Sequence, residues 1–202
     1  MSKIAAVILA AGQASRFRAA AGEHGPATKL VAQLEGKPLA RHVAEAALAS
    51  RARPVIVVTG HAQEAVRAAL EGLPLTFTHN AAYATGLASS LQSGLACVPA
   101  DCDGALVLLG DMPLVSAEII ERLIGAFENN PSTKAVTPVR DGQRGNPVLL
   151  SRALFQAVAA LSGDVGARAL LAAAQGEIVE VPVESRAVVF DVDTPDVLTR
   201  PE

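Results

Sequence analysis

The sequence predicts a three-layer α/β sandwich built on a mostly parallel, partly mixed β-sheet. Short apolar runs rich in Val, Ile and Leu alternate along the chain with longer stretches of helical character. These runs are apolar at nearly every position, as expected for parallel strands covered by helices on both faces. In the second half, the turn signal Asp141-Gly142 between two apolar runs predicts an antiparallel portion of the sheet.

The first half reads as strands separated by helices. Its clearest strand is Pro54–Thr59, a β-branched run suited to a buried parallel position. A long polar loop is expected between the first strand and the first helix. In chain order, the predicted elements are strand Ile4–Leu9, helix Leu39–Ser50, strand Pro54–Thr59, helix Gln63–Glu71, strand Leu75–His79, helix Leu87–Cys97 and strand Ala105–Leu109.

The second half begins with a helix, Ala117–Glu128, which Ser116 can cap and beyond whose end Pro131 lies. No tract rich in Pro, Gly or Ser divides the chain, so a single domain over residues 1–202 is expected. The remaining predicted elements are strands Lys134–Val139 and Pro147–Leu150, helices Ala153–Leu161 and Val165–Ala174, strands Ile178–Val183 and Val188–Val192, and a short helix from Pro195.

The composition limits the classes of partner. A formal net charge of −3 argues against a nucleic-acid-binding surface, which is normally basic, and an aromatic content of 3% argues against nucleic-acid stacking platforms. No apolar run approaches the length that crosses a bilayer. The apolar run after Lys3 lacks a convincing cleavage site for a signal peptide. We therefore expect a cytoplasmic protein that binds neither nucleic acid nor membranes.

The first strand leads into small residues and then into cations, as Leu9-Ala-Ala-Gly-x-x-Ser-Arg-Phe17 followed by Lys29. Small residues let backbone N–H groups approach a polyphosphate, which Arg16 and Lys29 can neutralise. The pattern is neither the dinucleotide-binding glycine fingerprint nor a Walker A loop. It predicts a nucleoside triphosphate site, and the alternative is an ordinary surface loop.

Two aspartate motifs predict a divalent-metal site. Asp111 directly follows a buried strand, and Mg²⁺ prefers carboxylate oxygens together with substrate phosphates. Asp191 and Asp193 alternate and share one face if they lie on a strand, so Asp193 can pair with Asp111, with Asp191 the weaker choice. The alternative is capping: Asp111 before the next helix, and Asp193 before the helix that begins at Pro195.

Several polar or glycine positions fall at or just after predicted strand ends. In open α/β sheets, ligands bind beyond the carboxyl ends of the strands. We therefore expect these positions to converge on one edge of the sheet; they are Gly12, Thr59-Gly60, Asn80 and Gly110-Asp111.

Together these segments resemble the nucleotidyltransferases of molybdenum cofactor biosynthesis, and among them the cytidylyltransferase type. The resemblance includes Asn80-x-x-Tyr-x-x-Gly-Leu-Ala-Ser-Ser-Leu91, Arg144-Gly-Asn-Pro-Val148 and Gly163-Asp-Val-Gly-Ala-Arg168. It implies a Rossmann-like domain, Mg²⁺ and a bound CTP or GTP. Ala10-Ala11-Gly12 favours CTP, because guanylyltransferase relatives carry Ala-Gly-Gly there.

The resemblance also implies a reaction and a set of site residues. CMP passes from CTP to the terminal phosphate of a molybdopterin-type cofactor, pyrophosphate leaves, and a molybdenum hydroxylase apo-enzyme receives the product. The implied catalytic residues are Arg16, Lys29 and Asp111, with Asp111 and Asp193 as metal ligands. The implied nucleotide contacts are Leu9, Ala10, Ala11, Gly12, Arg16, Lys29, Thr59, Asn80 and Asp111. The implied acceptor contacts are Gly86, Ser89, Ser90, Asn146, Asp164 and Arg168.

Two departures from the family pattern leave alternatives open. The stretch Arg18–Thr28 lengthens the interval between Arg16 and Lys29, so Lys37 is a second choice for the loop lysine. Asn146 stands where the family usually has histidine. The rival functions are a GTP-using or sugar- or alditol-phosphate nucleotidyltransferase and, in another class, a non-catalytic nucleotide-binding cofactor chaperone that needs no metal.

Overall fold

The central sheet of the computed structural model contains eight strands among the described residues, which are 1–22, 25–164, 166–167, 171 and 177–199. A two-stranded ribbon, β2 and β3, lies apart from it. The strands are β1 Ile4–Ala10, β2 Gln33–Leu34, β3 Lys37–Pro38, β4 Val55–Thr59, β5 Thr76–His79, β6 Gly104–Leu109, β7 Ala135–Arg140, β8 Gln143–Arg144, β9 Val148–Ser151 and β10 Ile178–Pro182.

Helices and short 3-10 turns connect these strands. The described α-helices are α1 Ser15–Ala21, α2 Leu39–Ala49, α3 Gln63–Ala69, α4 Leu87–Ala96, α5 Ala117–Asn129 and α6 Phe155–Val158. The 3-10 helices are Lys29–Val31, Tyr83–Thr85, Arg152–Leu154, Arg186–Val188 and Pro195–Thr199. Among the described residues, no helix is both long enough and apolar enough to cross a membrane.

The strand order of the sheet is β10-β7-β9-β6-β1-β4-β5, with β8 paired to β7. Strand β1 pairs in parallel with β4 and β6, β4 pairs in parallel with β5, and β7 with β10. Strand β9 runs antiparallel to both β6 and β7. The mostly parallel, partly mixed sheet predicted from the sequence is therefore confirmed. It brings the carboxyl ends of β1, β4, β5 and β6 to one edge.

Alternation along the buried strands produces two core layers, one on each face of the sheet. In β1, Ala6 and Ile8 pack into the cluster that contains α2 and α5 residues. Val7 and Leu9 pack into the other cluster, with residues of α4 and α6. Every residue of β1 is buried, because the strand is covered on both faces. This is the three-layer arrangement that the continuous apolar runs predict.

The hairpin expected at Asp141-Gly142 joins β7 to β8. Arg140 pairs with Gln143, so Asp141 and Gly142 alone form the loop between the two strands. Both have positive φ, 50° for Asp141 and 76° for Gly142, as a type I′ turn requires. Asp and Gly tolerate this region better than other residues, which explains why the sequence signal was reliable.

Two segments differ from the sequence prediction near the site. Residues 15–21, expected to be loop, form α1, whose one buried residue is Phe17, too sparse a pattern to show helical periodicity. The predicted strand Val188–Val192 is wrong. A 3-10 helix ends at Val188, and in the described structure residues 189–193 form no strand. The apolar pattern arises because Val188 and Val192 are both buried beside the core without pairing in the sheet.

The predicted helices after β9 also differ. The expected helix Ala153–Leu161 is divided into the 3-10 turn Arg152–Leu154 and the short helix α6. Most of the predicted helix Val165–Ala174 lies outside the described residues.

Candidate active site

A cleft of about 470 Å³ opens at the carboxyl edge of the sheet, where β1 and β6 end. The turn between β1 and α1 forms one wall, and the segment around the 3-10 helix Tyr83–Thr85 forms another. Lys29 and Asp111 lie in the same cleft. Its lining residues are Leu9, Ala11, Gly12, Gln13, Ala14, Ser15, Lys29, Leu30, Tyr83, Ala84, Gly86, Leu87, Ser90, Leu109, Asp111 and Asp164.

Lys29 is anchored by its neighbour Leu30, which is buried in the same core cluster as Met112. The Lys29 Nζ lies 2.6 Å from Asp111 Oδ2 and 2.9 Å from Asp193 Oδ1, and 14% of its side chain is exposed. Burial alone would lower the pKa of Lys29. The charges and hydrogen bonds of the two aspartates outweigh that effect, so its pKa is raised. The ammonium group therefore stays charged while mostly shielded from water.

Three carboxylates gather around this lysine. Val192 is buried, and its backbone N–H donates to the Asp111 carbonyl over 3.0 Å. This bond holds Asp191 and Asp193 next to Asp111, and one carboxylate oxygen of each lies within 4.8 Å of the others. Asp191 and Asp193 therefore lie close together, as predicted for a shared face of a strand, although this segment forms no strand. The buried Val192 separates the two aspartates in the sequence.

The carboxylates differ in their electrostatic state. The hydrogen bond from Lys29 is the main reason that the pKa of Asp193 is lowered. Asp191 is an exposed residue, but partial desolvation of its carboxylate, with the nearby charges of Asp193 and Asp111, raises its pKa. Asp191 therefore carries a repulsive interaction that an additional cation would relieve.

This donor set fits a hard divalent cation. Mg²⁺ and Mn²⁺ are bound by carboxylate oxygens, and three such groups converge here beside an open cleft. Asp111 and Asp193 already hold a positive charge between them, the Lys29 ammonium. The capping alternative for Asp111 does not account for this contact, and Ser116 is the residue whose side chain accepts the hydrogen bond at the start of α5.

Arg16 lies beside the cleft at its solvent side. Its Nη1 is 3.5 Å from Asp193 Oδ2, and 83% of its side chain is exposed. Such an exposed pair contributes little to stability. Arg16 is therefore available to contact an anion that enters the cleft.

The opposite wall is built by a close approach of two segments. Gly86 has φ 115°, and a Cβ there would collide with the backbone of Gly163. The Ala88 N–H donates to the Gly163 carbonyl over 3.1 Å. This contact brings Asp164 to the cleft beside Gly86 and Ser90. The structure thus brings these three predicted acceptor contacts together with the first loop, Lys29 and Asp111.

Other predicted nucleotide contacts lie behind the cleft wall. Ala10 and Thr59 are fully buried, and the Thr59 hydroxyl donates to the Thr78 carbonyl. The Asn80 amide donates to the hydroxyls of Ser89 and Ser90. Asn80 and Ser89 therefore hold the wall in place and do not line the cleft.

Three further predicted residues lie elsewhere. The Asn146 N–H donates to the Val188 carbonyl, and Asn146 does not line the cleft. Lys37 pairs with Glu45 on α2, so of the two candidate loop lysines Lys29 is the one at the cleft. Arg168 lies outside the described residues.

Sequence reasoning assigned no role to several residues that line the cleft. They include Gln13, Ala14 and Ser15 in the first turn, and Tyr83 on the opposite wall. Tyr83 falls within the motif that starts at Asn80, which is the signal that could have identified it.

Comparisons with known proteins agree with this architecture. Rv0371c from Mycobacterium tuberculosis H37Rv is 26% identical with a TM-score of 0.83, over 99% of this chain and 97% of that chain. A structure of Rv0371c in complex with manganese is 26% identical with a TM-score of 0.77, over 98% and 97% of the two chains.

A curated relative matches a shorter part of the chain. The bifunctional protein GlmU of Azoarcus sp. (strain BH72) is 38% identical over 120 residues, which cover 59% of this chain and 25% of GlmU. The chain therefore spans about a quarter of the length of the GlmU proteins that it matches. The family description "MobA-like NTP transferase domain" matches residues 6–179. Since that match covers most of the sequence, the chain belongs to the MobA-like NTP transferase domain family.

Proposed function

We propose that this chain is a metal-dependent nucleotidyltransferase that transfers CMP from CTP to the terminal phosphate of a molybdopterin-type molybdenum cofactor. The observation that carries the proposal is the cluster of Lys29 with Asp111, Asp191 and Asp193 at the edge of the cleft. A cation among carboxylates beside a loop of small residues is suited to a polyphosphate and its metal ion. Membership of the NTP transferase family supports the same activity.

The chemistry requires no protein nucleophile. An oxygen of the acceptor phosphate, already an anion, attacks the α-phosphorus of CTP, and the bond from the α-phosphorus to the bridging oxygen breaks. Pyrophosphate leaves with that oxygen, and CMP becomes joined to the cofactor through a new diphosphate. Catalysis therefore consists of holding the two phosphates in line and neutralising charge as it develops.

Each role falls to a residue at the cleft. Lys29 and Arg16 neutralise the β- and γ-phosphates as they depart, and the turn formed by residues 11–15 lies against the nucleotide. Asp111 and Asp193, joined by Asp191, would hold a divalent cation, which supplies positive charge to the phosphate oxygens. Leu9 and Leu109 contribute apolar surface to the lining of the cleft.

The choice of CTP as donor is supported by Ala11. Its side chain lies in the cleft wall and is almost fully buried. The extra methyl, compared with glycine in guanylyltransferase relatives, leaves less room and favours a pyrimidine over a purine. The choice of acceptor is supported by the wall of Gly86, Ser90 and Asp164, which faces the same cleft.

A pyrophosphate-release assay with Mg²⁺, purified molybdopterin-type cofactor and either CTP or GTP tests the proposal. Release is expected with CTP and cofactor together, and little with either alone. Faster release with GTP would reject the cytidylyl assignment. Release with a sugar or alditol phosphate in place of the cofactor would reject the acceptor. Tight CTP binding with no release under any combination would favour the non-catalytic chaperone instead.

A further inference from the structure

Tyr83 is the one tyrosine of the chain, and the chain has no tryptophan. Tyr83 begins the 3-10 helix Tyr83–Thr85 and is half-buried. Among the described residues that line the cleft, it is the one aromatic residue. We propose that the Tyr83 ring is the surface on which the base of the bound nucleotide stacks. This inference rests on the proposed nucleotidyltransferase function and adds a binding residue to it.

The backbone around Tyr83 is held firmly. The Tyr83 N–H donates to the Asn80 carbonyl over 3.3 Å, and the Ala82 N–H donates to Asn80 Oδ1 over 2.9 Å. The Asn80 amide in turn bonds to Ser89 and Ser90 on α4, 2.8 and 3.0 Å away. Asn80 is itself buried, so these bonds are shielded from water. Because the segment that carries the ring is already fixed, little backbone conformational entropy is lost when a base stacks on Tyr83.

Tyr83 also lies close to the first loop. A Cβ placed on Gly60 would lie 2.6 Å from Tyr83 Cβ and 2.8 Å from Ala11 Cβ. Only glycine at position 60 allows these two residues to approach so closely. The His61 ring, whose centroid is 6.1 Å from that of Tyr83, packs beside it. Tyr83 is therefore joined to the loop that contacts the nucleotide.

The chemistry of a nucleotide matches the two ends of this site. Its phosphates are charged and suit the cluster of Lys29, Asp111 and Asp193. Its base is flat and largely apolar on its faces, and such a face is covered well by an aromatic ring. Within the described lining, Tyr83 is the residue that offers one.

Stacking makes a specific prediction about affinity and specificity. Every base has a π-face, so loss of the ring in Tyr83→Leu should weaken CTP and GTP by the same factor, about 5- to 100-fold. Tyr83→Phe keeps the ring, and among the described residues none pairs with the hydroxyl, so its affinity should stay within about twofold of wild type. Stacking acts equally on ground and transition states, so KM rises while kcat changes little.

Intrinsic fluorescence tests the inference directly, because all tyrosine emission of the wild-type chain comes from Tyr83. Wild-type protein with Mg²⁺ is titrated with CTP, CMP or tripolyphosphate, with parallel calorimetry. N-acetyltyrosinamide corrects for light absorbed by the nucleotide. CTP and CMP should change the emission with the midpoint that calorimetry gives. Tripolyphosphate, which lacks a base, should leave the emission unchanged.

Each other outcome is decisive. CTP binding by calorimetry with unchanged emission overturns the role of Tyr83 and leaves the proposed function intact. An equal response to tripolyphosphate also overturns it. Absence of CTP binding overturns both the role of Tyr83 and the proposed function.

Phe77→Leu is the matched control for Tyr83→Leu. Phe77 lies on β5 against Arg67, outside the cleft, and its replacement should leave CTP affinity unchanged. Equal weakening by Phe77→Leu and Tyr83→Leu would show an indirect effect of losing an aromatic residue.

Discussion

Replacing Lys29 by methionine isolates the charge at the centre of the site. Methionine has a similar length and no charge, so packing changes little. In the wild type, the Lys29 Nζ lies 2.6 Å from Asp111 and 2.9 Å from Asp193, with 14% of the side chain exposed. The variant leaves three neighbouring carboxylates without their nearest cation. We expect both stability and turnover to fall.

The magnitude follows from burial. Removing one partner of a buried ion pair costs about 3–5 kcal/mol, whereas an exposed pair contributes about 0–1 kcal/mol. Lys29 and Asp111 are mostly buried and Asp193 is 47% exposed, so an intermediate loss is expected. A loss of about 1–3 kcal/mol corresponds to a decrease in Tm of about 2–12 °C for a chain of this size. Turnover should fall about 100-fold or more, because the departing pyrophosphate loses a stabilising charge.

Thermal unfolding in EDTA and in MnCl₂, together with the pyrophosphate assay, measures these effects. Mn²⁺ should restore more of the Tm of Lys29→Met than it adds to the wild type, because the ion replaces the missing charge. Lys37→Met is the matched control, since Lys37 forms a half-buried pair with Glu45 and neither residue lines the cleft. The reasoning is refuted if Lys29→Met keeps wild-type Tm and turnover, or if Lys37→Met shows the larger losses.

Three further predictions concern the same cleft. In EDTA, the raised pKa of Asp191 means that this one group contributes less to stability as pH rises through the range in which it ionises, so Asp191→Asn should unfold at a higher temperature than wild type at pH 7. The difference in Tm between the two proteins should shrink at acid pH, and equal Tm values at every pH would contradict this. Gly60→Ala places a Cβ 2.6 Å from that of Tyr83 and should destabilise by about 1–3 kcal/mol in urea unfolding, and an unchanged midpoint would show that the contact relaxes freely. With Mg²⁺, CTP should raise Tm more than GTP because of the Ala11 methyl, and equal or greater protection by GTP would reject the choice of donor.

The strands were predictable where burial on both faces makes a segment apolar throughout. Pro54–Thr59 was predicted and β4 is Val55–Thr59; Ala105–Leu109 was predicted and β6 is Gly104–Leu109. The same reasoning was wrong for Val188–Val192. The buried valines of this segment pack into the core, while its backbone forms hydrogen bonds outside the sheet. The Val192 N–H, for example, donates to the Asp111 carbonyl. An apolar pattern reports burial and not which backbone partner is present.

The site was predictable in part for a related reason. Asp111 follows a strand end, so its place at the edge of the sheet follows from the chain alone. Spacing did not distinguish Lys29 from Lys37 as the lysine at the cleft. The choice depends on which lysine has a buried neighbour to anchor it, and Leu30, next to Lys29, is buried. Tyr83 lies within the motif that starts at Asn80, but its place in the cleft depends on its approach to Gly60, a contact between separate segments that spacing alone does not show.

The central claim is that Asp111, Asp191 and Asp193 bind a divalent cation beside the nucleotide. A calorimetric titration of Mn²⁺ in the presence of CTP, on wild type and Asp111→Asn, tests it most directly. Asparagine has the size of aspartate but lacks its charge, so the variant should fold normally. It should need at least about 10-fold more Mn²⁺ to reach half-saturation. Asp101→Asn, whose aspartate pairs with Lys3 outside the cleft, should titrate as wild type does. Coincident titrations of Asp111→Asn and wild type would contradict the account.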